Sequence, residues 1–126
     1  MTEHDHQRIL VAWFRANYPD MILFAIPNGG TRDTITAKRL KREGVLAGVP
    51  DLFLATPRQG KSGLFLEMKS ATGRPTAAQH AMITRLRSFG YECRVCWGYE
   101  EAKVAVVEYL ATAPLSVSKL LEDMSE

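Results

Sequence analysis

Two short apolar runs, residues 51–56 and 64–70, are separated by only seven residues, among them Pro57, Gly60, Ser62 and Gly63. So short a connection leaves no room for a crossover helix, and the two runs are predicted to pair as an antiparallel hairpin. Alternation in the second run turns Leu64, Leu66 and Met68 toward a core and brings Glu67 and Lys69 out side by side on one surface. A turn centred near Gln59 and Gly60 sets Asp51 opposite Met68, give or take one residue, and therefore beside Glu67 or Lys69. Whether the Asp51 side chain shares their face depends on a one-residue slip that the sequence leaves open.

The flanking segments alternate between helix and strand. Thr2 can cap a helix with Glu3 and Asp5 in its first turn, followed by Leu10, Trp13, Phe14 and Asn17 and ended by Pro19. Residues 21–26 form a strand closed by the turn Pro27-Asn28-Gly29-Gly30, and residues 34–42 form a basic helix stopped by Gly44. Thr76 can cap a helix to about Phe89, with Ala78, Met82, Leu86 and Phe89 on one face, before a strand over residues 91–97. Ala102, Ala105, Val106, Tyr109 and Leu110 mark a last amphipathic helix. Beyond Pro114, residues 114–126 read as a docked helix or a frayed tail. The order is α-β-α-ββ-α-β-α, an α/β fold with a small mixed sheet. No linker or repeat interrupts the 126 residues, so residues 1–126 are expected to form a single domain with its core over about 3–110. Trp13 and Trp97 are expected in that core, and His80 on an exposed helix face.

Composition narrows the class. With 46% hydrophobic and 24% charged residues, the chain can build a packed core. No apolar run approaches the roughly 18–20 residues a membrane span needs. The first residues lack a secretory signal, so a cytoplasmic protein with no membrane partner is expected. Cys93 and Cys96 lie three apart on a strand, on opposite faces and about 10 Å apart, too far for a disulfide. The three histidines, His4, His6 and His80, offer no second ligand pair for zinc. A net charge of +2 demands no anionic partner, but Arg32, Lys38, Arg39, Lys41 and Arg42 face only Asp33 and Glu43 nearby. That run reads either as a solvated helix face or as a segment that contacts nucleic-acid phosphates.

If Asp51 shares the face of Glu67 and Lys69, two carboxylates and a lysine converge near the Met68 carbonyl. Hard oxygen donors of this kind suit Mg²⁺, which could polarise a phosphoryl oxygen while Lys69 orients a water. No Cys or His cluster competes for a softer metal. The same residues also read as a surface ion pair, with Asp51 merely opening a strand. A second Glu-x-Lys, Glu101-Ala102-Lys103, falls in a helical pattern where residues two apart do not face each other.

Gly48-Val49-Pro50-Asp51, then after fifteen residues Glu67-Met68-Lys69, resembles the PD-(D/E)xK nuclease signature. Together with Glu3-x-x-x-Gln7, Pro27-Asn28-Gly29, Lys41-Arg42-Glu43-Gly44-Val45 and Thr76-x-x-Gln79, it is similar to the VRR-NUC family in its compact phage and prophage form. The likeness runs from about Glu3 to Leu110. It implies a restriction-endonuclease-like α/β/α core and hydrolysis of phosphodiester bonds dependent on Mg²⁺, with Mn²⁺ able to substitute. By motif position, Asp51, Glu67 and the Met68 carbonyl would hold the metal and Lys69 would be the catalytic lysine. Glu3 would be an acid supplied by the first helix, and Gln79 a supporting glutamine. The family also implies a homodimer acting in a bacterial host cell on branched DNA such as Holliday junctions. Each residue has a plainer reading: Glu3 as serving only the helix dipole, Gln79 only the first turn of its helix, and Asn28 only its turn. Two other functions stay in view. One is a nuclease or nickase on duplex, flap or RNA substrates. The other is a non-catalytic nucleic-acid-binding module, which would have no physical need to hold two carboxylates toward a polyanion.

Overall fold

The strand Leu64–Lys69 is buried at all six positions, which requires a central strand covered on both faces. The computed structural model describes residues 1–27, 34–112 and 124, and its elements follow the expected order. They are α1 (Glu3–Asn17), β1 (Leu23–Ala25), α2 (Thr34–Arg42), β2 (Leu52–Leu54), β3 (Leu64–Lys69), α3 (Ala77–Ser88), β4 (Glu92–Trp97) and α4 (Tyr99–Ala111). The sheet runs β1-β2-β3-β4, antiparallel over its first two pairings and parallel between β3 and β4, where α3 supplies the crossover.

The hairpin closes as its turn residues dictate. Arg58 and Lys61 bridge around Gln59 and Gly60, whose φ values of +39° and +84° match the twist of a two-residue hairpin turn. Leu52 pairs with Leu66, so the register extended one step puts Asp51 level with Glu67, within the expected range.

Two unequal helical layers cover this sheet. On one face, Leu10 and Phe14 of α1 and Ala102, Val106 and Tyr109 of α4 close over Leu52, Leu54, Leu64, Leu66, Met68 and Cys96. On the other, Ile83 of α3 meets Phe65 and Cys93, with Phe53, Tyr91 and Leu86 at their edge. The rings of Phe53 and Phe65 lie 4.4 Å apart. The two cysteines thus fall in different cores and are free, and burial pushes their thiols up to about 11 (Cys93) and about 12 (Cys96).

The structure corrects three expectations. Glu67 and Lys69 do share a face, but Gln79 of α3 reaches Glu67 and the loop at Gly73 lies against Lys69, and they are only 2% and 8% exposed. The buried stripe of α3 centres on Ile83, flanked by Leu86, while Ala78 and Phe89 face outward. Phe89 is the C-cap, where the chain has already left helical geometry. Trp13 packs against the larger core, but Trp97 is half-buried at the lip of a cleft. Arg32, Asn28 and most of the C-terminal segment lie outside the described residues. Among those described, no helix is long and apolar enough to cross a membrane.

Candidate active site

Three elements deliver three carboxylates to one place. Glu3 opens α1 directly after its cap, Thr2, whose hydroxyl accepts from the Asp5 N–H while the Asp5 side chain accepts from the Thr2 N–H. Asp51 follows the buried Pro50 and leads into β2. Glu67 sits near the end of β3. Oxygens of Glu3, Asp51 and Glu67 lie within 4.8 Å of one another, lining a cleft of about 500 Å³.

Each acid is placed by a specific contact. Asp51 Oδ2 accepts a 2.8 Å bond from the Met68 N–H, tying the strand entry to its neighbour, and the Asp51 carbonyl accepts from Ile26 N–H at 2.8 Å. Before it, Gly48 has a φ of +85°, and a Cβ there would stand 2.5 Å from the Ala78 carbonyl oxygen. Only glycine lets this loop press so closely on the first turn of α3. On α1, His6 lies one turn beyond Glu3 and accepts the Tyr99 N–H at Nδ1, 3.0 Å away, fastening α1 to the start of α4.

Glu67 is the most constrained of the three. Its Oε1 accepts from Gln79 Nε2 at 3.2 Å and lies 3.5 Å from Lys69 Nζ, while its Oε2 is buried with no hydrogen-bond partner among the described residues. Burial first, and the nearby Asp51 charge second, push its carboxyl up to about 8 against the pull of Lys69. Gln79 is aligned from both ends. Its carbonyl accepts from the Thr76 N–H at 2.9 Å, closing the capping box of α3, and this leaves its amide to point at Glu67. One side chain thus closes the helix cap and also reaches Glu67.

These residues fit a divalent cation. Three hard oxygen donors converge, Glu67 carries a buried oxygen with no hydrogen-bond partner among the described residues, and a positive ion would favour ionised Glu67 where burial now opposes it. Met68 contributes its backbone to the same corner. The basic run is separate: Lys38, Arg39, Lys41 and Arg42 are exposed on α2, a helix with no buried residue, and Arg39 pairs with Glu43 at 3.7 Å. What the sequence did not single out is Ala47 beside the carboxylates, nor did it show that Gly48 presses on α3 or that the capping role of Thr76 aims Gln79. The Thr-x-x-Gln box was the available signal for the last.

Comparison with known proteins bears on this geometry. The model of the VRR-NUC domain matches residues 1–100. A solved structure described as a VRR_NUC domain protein is 25% identical, with a TM-score of 0.76 over 92% of this chain and 93% of that one. No curated protein matches.

Proposed function

The chain belongs to the VRR-NUC family, a group of PD-(D/E)xK-type nucleases, and on that footing we propose that it is a metal-dependent, structure-specific DNA endonuclease. Its expected substrates are branched molecules such as Holliday junctions, cut by a homodimer of the phage or prophage type. The observation that carries this reading is the convergence of Glu3, Asp51 and Glu67 within 4.8 Å beside Lys69, around a buried carboxylate oxygen that has no hydrogen-bond partner among the described residues. A binding-only module gains nothing from such a cluster facing a polyanion.

In this reading Asp51, Glu67 and the Met68 carbonyl hold Mg²⁺, for which Mn²⁺ can substitute, and Glu3 completes the acidic rim. When bound, the ion supplies Lewis-acid polarisation of a phosphoryl oxygen and lowers the pKa of a coordinated water. Lys69, held against Glu67, orients the attacking water and meets the negative charge that grows on the phosphorus oxygens. One P–O bond forms from water and one ester P–O bond breaks, leaving a phosphate and a hydroxyl. Gln79 keeps the Glu67 carboxylate turned toward the cleft. Lys38, Arg39, Lys41 and Arg42, with Arg32, are the expected phosphate contacts, which position DNA without reading bases. A chain of 126 residues covers little of a four-way junction, so a two-fold dimer with two active sites suits such a substrate.

The test is incubation of the purified protein with end-labelled four-way, flap, duplex and single-stranded DNA in Mg²⁺, Mn²⁺ or EDTA. Expected is cleavage of branched DNA that requires the metal and disappears in Asp51→Asn, Glu67→Gln and Lys69→Ala proteins that remain folded. Full activity in all three variants, or salt-sensitive binding without hydrolysis under any condition, would replace the nuclease assignment with the binding-module reading.

A further inference from the structure

A second cleft, of about 540 Å³, is lined by Ala71, Arg74, Pro75, His80, Val95 and Trp97. It adjoins the carboxylates. Trp97 is level with Lys69 in the parallel β3–β4 register, so their side chains leave the same face on neighbouring strands, and Lys69 Nζ touches Glu67. Gln79, which holds Glu67, and His80, which lines the second cleft, are consecutive on α3. The first turn of α3 thus borders both clefts.

The chemistry of this lining is selective. The indole Nε1 of Trp97 donates to the Gly73 carbonyl at 2.8 Å, and Arg74 Nη1 donates to the same oxygen at 2.9 Å. A shared acceptor places the guanidinium beside the edge of the indole. Pro75, Ala71 and Val95 add apolar wall, and Arg74 and His80 remain exposed. A fixed aromatic surface, apolar sides and a cation at the rim match a nucleotide: the base stacks, and the phosphate meets the cation.

We infer that this cleft holds an unpaired DNA base beside the scissile phosphate, stacked on Trp97 with its own phosphate on Arg74. The inference rests on the nuclease reading and deepens it. A base inside a continuous duplex reaches such a pocket only by leaving its stack, whereas a nucleotide at a branch or flap has already left it. The cleft would therefore contribute to a preference for branched substrates through local unpairing next to the cut.

Cleavage kinetics on two end-labelled substrates, differing only in whether the nucleotide beside the cut is paired, test this. Trp97→Leu is expected to raise the half-saturating concentration of the unpaired substrate about tenfold or more, with the maximal rate within about twofold, and to affect the paired substrate much less. Trp97→Phe, which keeps the ring and loses the bond to Gly73, should restore saturation to near the parent value. Arg74→Ala, an exposed change that keeps the assay informative should Trp97→Leu fail to fold, should weaken saturation several-fold and lower the salt dependence by about one unit. Unchanged saturation by Trp97→Leu and Arg74→Ala, or equal losses in Trp97→Leu and Trp97→Phe, would overturn the inference while parent cleavage leaves the nuclease reading intact. If the parent protein cuts neither substrate in Mg²⁺ or Mn²⁺, the nuclease reading fails and takes the inference with it.

Discussion

The two faces of β3 exclude water almost equally and use that exclusion for opposite ends. Toward α1 and α4, Leu64, Leu66 and Met68 are fully buried among apolar partners, where removal from water is favourable. Toward α3, Phe65 begins as core, but Glu67 and Lys69 continue the same face as a polar pair of carboxyl and amine. There burial raises the Glu67 carboxyl to about 8 and strands one of its oxygens. Low exposure on its own thus says little about what a residue contributes. The side of the strand decides whether burial stabilises the fold or prepares a site at a cost to it.

Exchanging properties between the faces should expose this division. Glu67→Gln should lower the cleavage rate by at least about 10³-fold, equivalent to about 4 kcal/mol on the barrier, without lowering the melting temperature of the metal-free protein. A melt that drops by several degrees would show that the charged side also holds the fold together. Leu66→Ala, one residue away on the apolar face, should cost about 2–5 kcal/mol in denaturant unfolding while the folded fraction keeps its activity. A neutral result there would mean that the apolar face can repack around the loss.

Smaller effects sharpen the contrast. Gln79→Glu keeps the capping-box acceptor but turns a carboxylate toward Glu67 in place of an amide donor. Mg²⁺ affinity by calorimetry should fall about 10- to 100-fold, with stability within about 1 kcal/mol of the parent. An unaffected affinity would show that Glu67 needs no help in facing the ion. A further effect is on pH dependence. Between the ordinary carboxyl value of 4.5 and about 8, folded Glu67 keeps a proton that the unfolded chain has released. The contribution of Glu67 to the stability of the metal-free protein should therefore be greatest below about 4.5 and be lost as pH rises toward 8. Comparing melting curves of parent and Glu67→Gln across that window, with and without Mg²⁺, isolates this slope, which added Mg²⁺ should flatten or reverse.

Much of this was legible in the sequence, and the shortfalls have physical causes. Gln59 and Gly60 announced the hairpin because a tight turn leaves a local signature, and the hairpin in turn brought Asp51 to Glu67 within one residue. The period of two along β3 paired Glu67 with Lys69 correctly, yet it carries no information on what packs over that face, and their burial went unforeseen. The same limit applied to Trp97. A strand pattern orients a side chain to one side of a sheet without saying whether that side ends in core or at a cleft, so an expected core residue lies at a lip. Gly48 read as part of a motif, and only the contact with Ala78 explains why a side chain has no room there. The double use of Gln79 was hidden because a cap is a local pattern and its second partner is twelve residues away.

The carboxylate cleft draws on both sides of the sandwich: Glu3 arrives with the layer that contains α4, Gln79 with the layer formed by α3, and the sheet supplies Asp51 and Glu67 between them. Neither half docked alone assembles the full set. A cation held there as proposed should consequently be lost together with global cooperativity instead of surviving in a half-assembled chain, so that its uptake would serve as a built-in inspection of complete folding.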